Sequence, residues 1–115
     1  MLALIAERDP AISRLLCRLC EMENWQTVVV AGSPAFVRCA LRLRPELIIA
    51  DASLSGPPDG GSAALLIRVD WPSAPIVLMT GCFARAALLR SQGLCVLEKP
   101  FHLTEARTLL LEALV

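Results

Sequence analysis

Residues 46–61 read ELIIADASLSGPPDGG. Apolar residues 47–50 lead straight to an aspartate, and a loop rich in Gly, Pro and Ser begins behind it. A short apolar run without alternation is the pattern of a strand buried on both faces. Asp51 therefore stands at the carboxyl tip of such a strand. This stretch alone supports two readings of Asp51 equally. It is a strand-end aspartate that caps the loop, or it is a carboxylate nucleophile, which needs a strand-tip position and a positive partner.

The same strand-then-helix pattern repeats on both sides. Residues 2–7 read as a first strand, and Asp9-Pro10 as a helix start with Asp9 as N-cap. Ile12, Leu15, Leu16 and Leu19 then recur at helical spacing. Residues 26–31, QTVVVA, form a second strand, and Ser33-Pro34 repeats the cap-plus-proline start. After the loop, residues 62–69 suit a helix, 75–81 a fourth strand, 84–92 a short helix and 94–100 a fifth strand. A last helix starts at Thr104. Five strands alternating with five helices predict an α/β domain, a parallel sheet covered on both faces. Its 115 residues make one domain, spanning 1–115.

Lys+Arg and Asp+Glu balance at 11 each, so no basic field favours direct nucleic-acid binding, and no helix-turn-helix pattern is present. No apolar run reaches the roughly 18–20 residues of a membrane span. The N-terminus lacks a basic leader, so a cytoplasmic chain is expected. Five cysteines in such a setting do not suggest a disulfide framework. Cys17 and Cys20 have C-x-x-C spacing but lie inside a helical pattern without a second pair, so they read as core or boundary residues rather than a redox or zinc site.

In an open parallel sheet, ligands bind beyond the carboxyl ends of the strands. Those ends carry Glu7, Arg8 and Asp9, then Asp51, then Thr80-Gly81, then Lys99-Pro100. Lys99 is the sole lysine and the natural cation for a carboxylate or a phosphoryl oxygen. Each residue has a bland reading as a strand-end polar group. Their convergence on one edge raises the chemical one.

The chain resembles the receiver domain of two-component response regulators from Leu2 to about Ala113. The carriers are LIAERDPAI (4–12), LIIADASLSGPPDGG (47–61), VLMTG (77–81) and VLEKPF (96–101). The resemblance implies a flavodoxin-like sheet of order 2-1-3-4-5 in a bacterial, cytoplasmic phosphoprotein. Asp51 would accept a phosphoryl group from a histidine kinase or phosphotransfer protein. Thr80 would hydrogen-bond that group with Gly81 leaving room beside it, and Lys99 would ion-pair with it or with Asp51. The Lys99–Pro100 peptide would be cis. Mg²⁺ would be held by the acidic loop at Glu7, by Asp51 and by the backbone carbonyl of Ser53. Output would pass to a downstream protein, a homodimer partner or a domain beyond Val115.

The departures are specific. Arg8 stands where the family carries its direct metal-ligand acid. An arginine cannot ligate a cation, so at most weak Mg²⁺ binding and no tightly bound cofactor are expected. Arg8 either pairs with Asp51 as a substitute cation or turns to solvent and leaves a weakened site. Asp9 is no replacement, because it caps a helix. Val96 replaces the aromatic often found three residues before the lysine, the fourth helix is short, and the loop after Asp51 is one residue longer than the family's. The chain is thus expected to be a phospho-switch or a receiver-like interaction module that works without phosphorylation. An ordinary enzyme is not expected. An Asp-nucleophile phosphatase wants a second acid where Ser53 stands, and no G-x-G-x-x-G follows the first strand.

Overall fold

A computed structural model describes residues 1–54 and 56–113. Ser55, Leu114 and Val115 of the expected domain lie outside the described residues. The elements are β1 (Leu2–Ala6), α1 (Pro10–Met22), β2 (Gln26–Val30), α2 (Ser33–Leu43), β3 (Leu47–Asp51), α3 (Gly60–Asp70), β4 (Ile76–Thr80), α4 (Phe83–Ser91), β5 (Cys95–Glu98) and α5 (Leu103–Glu112). All the strand pairs are parallel, and the order is β2-β1-β3-β4-β5.

The helices cover both faces. Phe36 and Ala40 of α2, Ala63, Ala64 and Ile67 of α3, and Ala86 and Leu89 of α4 pack on one side. Leu16, Leu19 and Cys20 of α1, with Ala106 and Leu110 of α5, pack on the other. The central strands β3 and β4 contribute side chains to both layers, which explains their unbroken apolar runs. β2 lies at the sheet edge and is only half-buried, although its Val28–Val30 run is as apolar as an inner strand. The edge position leaves even the apolar Val29 exposed.

Helix starts follow the local chemistry with two corrections. Asp9 caps α1 by accepting the Ala11 N–H at 2.9 Å, with Pro10 as first helical residue. Ser33 is not the cap of α2. Gly32 holds that position, and Ser33 is the first helical residue with its hydroxyl buried and without a partner among the described residues. α3 begins two residues earlier than the pattern suggests, because Asp59 caps it by accepting the Ser62 N–H at 2.9 Å. β5 ends at Glu98, so Lys99 and Pro100 follow the strand rather than belonging to it. The shortness of α4, nine residues, agrees with the sequence. No helix among the described residues is long and apolar enough to cross a membrane.

Candidate functional site

The parallel sheet brings the tips of β1, β3, β4 and β5 to one edge. Glu7 follows β1, and its N–H still donates to Val30 C=O at 3.0 Å, extending the ladder. Its side chain is 1% exposed. Lys99 is anchored on the other side by its own N–H, which donates to Thr80 C=O at 2.8 Å. The peptide that follows it, Lys99–Pro100, is cis.

From there the Lys99 ammonium reaches two carboxylates, Glu7 Oε2 at 3.0 Å and Asp51 Oδ2 at 3.2 Å. With side-chain exposures of 1% for Glu7 and 13% for Asp51, the first acid has no bulk water to solvate it and the second little, and the shared cation stabilises both. The remaining oxygens are also engaged. Glu7 Oε1 accepts the Asp9 N–H at 3.1 Å, and Asp51 Oδ1 accepts the Ser53 N–H at 2.9 Å.

Thr80 is buried next to this cluster in sequence register, one residue beyond the Asp51–Met79 pair of β3 and β4. Its hydroxyl accepts the Cys82 N–H at 3.1 Å, which leaves its own proton to donate. Gly81 is exposed, and a Cβ there would meet Lys99 only at ordinary contact, 4.0 Å. Asp51, Lys99 and Glu7 are therefore in direct contact. Thr80 is tied to Lys99 through the backbone, and Ser53 to Asp51 through its N–H.

Arg8 is exposed and joins no ion pair among the described residues. The Arg8–Asp51 pair considered from sequence is not formed. Lys99 enters from β5 and occupies the Asp51 oxygen that Arg8 would need, while a guanidinium in the β1–α1 turn keeps its hydration at no desolvation cost. The donor set also fits Mg²⁺ poorly. That ion takes an octahedron of oxygens, whereas here two carboxylates are bonded to one ammonium and Arg8 stands in place of a third acid. Among the described residues, no group of three or more His, Cys, Asp or Glu side chains could hold a metal ion.

Three residues not singled out from sequence shape the site. Arg85 Nη2 of α4 donates to Ala52 C=O at 2.9 Å and lies 2.8 Å from Asp59 Oδ2. The Ser62 N–H, foremost, holds the Asp59 carboxyl below its usual 3.8; partial desolvation opposes it, and Arg85 adds to it. Gly60 packs its backbone on β3, where a Cβ would come within 1.9 Å of the Asp51 carbonyl oxygen, so no other residue fits without a shift of α3. Gly60 and Asp59 had a signal in the DGG tripeptide before an apolar run. Arg85 had none, since it is spaced like any surface cation. The cysteine pair takes no part. All five cysteines are free, and burial pushes the Cys20 thiol up to about 11, away from thiolate chemistry.

No family model matches the sequence, and no curated protein matches it significantly. Solved structures do match. The BeF3-activated N-terminal receiver domain of Klebsiella pneumoniae RstA is 22% identical with a TM-score of 0.88, over 99% of this chain and 98% of that one. The receiver domain of the Pseudomonas aeruginosa sensor histidine kinase PA1611, solved with magnesium in its active-site cleft, is 24% identical with a TM-score of 0.86, over 98% of this chain and 96% of that one. NtrX from Brucella abortus is 21% identical with a TM-score of 0.88, over 98% of this chain but 26% of the longer protein. Strand order, helix placement and these superpositions agree: the chain has the fold of a response-regulator receiver domain.

Proposed function

We propose that this chain is a receiver module of two-component signalling that takes a phosphoryl group on Asp51. The observation that carries the reading is the Lys99 ammonium held between Asp51 and Glu7 at the strand tips. Phosphoryl transfer asks little covalent chemistry of the protein. It needs a placed nucleophile and positive charge for the equatorial oxygens. An Asp51 carboxylate oxygen would form the bond to phosphorus as the bond from phosphorus to the donor oxygen or nitrogen breaks. Lys99 would then offset the added charge, and the free Thr80 proton would bond a phosphoryl oxygen. The donor would be a histidine kinase or phosphotransfer protein, which implies a cytoplasmic setting, and the product would be a changed protein-binding surface rather than a released metabolite.

The test is acetyl phosphate labelling read by intact mass. The wild-type chain is expected to gain one phosphoryl group slowly, Asp51→Ala none, and Arg8→Asp with Mg²⁺ to label faster. Labelling that persists in Asp51→Ala would overturn the assignment of Asp51. A second reading, an interaction module independent of phosphorylation, is favoured by the exposed Arg8 and the fully engaged carboxylates. Absence of labelling in the wild type and in Arg8→Asp would select it.

A further inference from the structure

One peptide group beside Asp51 is held between opposite charges. The N–H of the Ala52–Ser53 peptide donates to Asp51 Oδ1 at 2.9 Å, and its C=O accepts from Arg85 Nη2 at 2.9 Å. The same nitrogen lies 2.8 Å from Asp59 Oδ2, and Asp59 Oδ1 accepts the Ser62 N–H in the first turn of α3. The sign alternates at every link: carboxylate, peptide dipole, guanidinium, carboxylate, helix amide. Bonds arranged in this way polarise one another. A peptide group is planar, so its N–H and C=O cannot reorient independently. Gly60 adds a second donor to the Ala52 carbonyl, at 3.0 Å.

The guanidinium in this chain of contacts belongs to a weakly held element. α4 buries only Ala86 and Leu89, its N-cap Cys82 makes no side-chain hydrogen bond, and Phe83 and Leu88 are exposed. An element with so few buried apolar contacts belongs to the low-stability end of a fold. Arg85, 31% exposed at its side chain, ties α4 to both ends of the loop that follows Asp51. On β5, the position considered for a switching aromatic holds the buried Val96, which has no ring to turn between core and solvent.

We infer that the Ala52–Ser53 peptide and Arg85 form a relay that couples the charge carried by the Asp51 carboxylate to the hold on α4. The relay deepens the phosphoacceptor reading, and rests on it for its meaning in signalling. The coupling itself is present in the unmodified chain.

The test is a double-mutant cycle on the full chain, read by amide hydrogen exchange in residues 83–91. Asp51→Asn keeps the shape and removes the charge. Asp51→Asn and Arg85→Ala are each expected to speed exchange in α4 by about three- to tenfold, with the double variant no faster than Arg85→Ala alone. Effects that multiply independently, or an α4 unchanged in Arg85→Ala, would overturn the relay. If Arg85→Ala does not fold, the cycle is run with Arg85→Lys, whose single ammonium reaches one acceptor at a time and is expected to give an intermediate effect that again does not multiply with Asp51→Asn. The cycle uses no phosphoryl donor. A coupled cycle without labelling removes the phosphoacceptor reading and keeps the relay, and labelling with an uncoupled cycle does the reverse.

Discussion

Lys99 is the residue on which the site depends most. Its ammonium is the ion-pair partner of both Glu7 and Asp51, and Glu7 is too buried for water to replace it. Removing one member of such a group leaves an uncompensated charge, so Lys99→Ala is expected to cost about 3 kcal/mol in urea unfolding. The double variant Lys99→Ala with Glu7→Gln, which removes charge from both sides, is expected to recover much of that loss. An equal loss in single and double variants would show that packing of the lysine stem, not charge, is what matters. Arg8 is the opposite case. It is adjacent in sequence to Glu7, yet exposed, because solvent suits a guanidinium better than a pocket whose acids already share a cation.

At the scale of elements, the start of α3 shows how a loop-like sequence conceals a built structure. The Gly-Pro-rich stretch after Asp51 reads as loop through Gly61, because glycines are poor helix formers. The helix nevertheless begins at Gly60, since only a residue without Cβ lets it approach the Asp51 carbonyl. Asp59 holds that start through the Ser62 N–H and Arg85. Its pKa is lowered in the fold, so its contribution is present above the unfolded value and is lost as pH falls through the folded one. Asp59→Asn, which keeps a capping acceptor, is therefore expected to lose only a few tenths of a kcal/mol at neutral pH, because solvent screens a carboxylate 44% exposed, with the gap to wild type closing below about pH 4. Parallel stability curves across that range would exclude a role for the charge.

For the whole molecule, the site exists only because the order β2-β1-β3-β4-β5 places β1 and β4 on either side of β3 and β5 beyond β4. Residues 92 positions apart, Glu7 and Lys99, meet as a result. That assembly also sets the donors a cation would meet. Calorimetric titration with Mg²⁺ is expected to show little binding to the wild-type chain and saturable binding to Arg8→Asp, which supplies a further acid at the β1 tip. Comparable affinity in the two would show that Arg8 is no obstacle. Asp51, Thr80 and Lys99 were legible as strand-tip groups because strands and turns announce themselves in hydrophobic runs and loop residues. Arg85 was not, because nothing local distinguishes an arginine that bonds a backbone carbonyl 33 residues away from one in water.

The sequence by itself determined the alternation of five strands and five helices, the Asp9 cap and the set of polar groups at the strand tips. These follow from hydrophobic period, capping and turn chemistry, which act over a few residues. Only the tertiary structure decided that β2 is half-buried, that Lys99 rather than Arg8 pairs with Asp51, and that Arg85 holds the loop behind it. Those outcomes depend on strand order and on competition among cations for two buried carboxylates, and that competition is settled through space rather than along the chain.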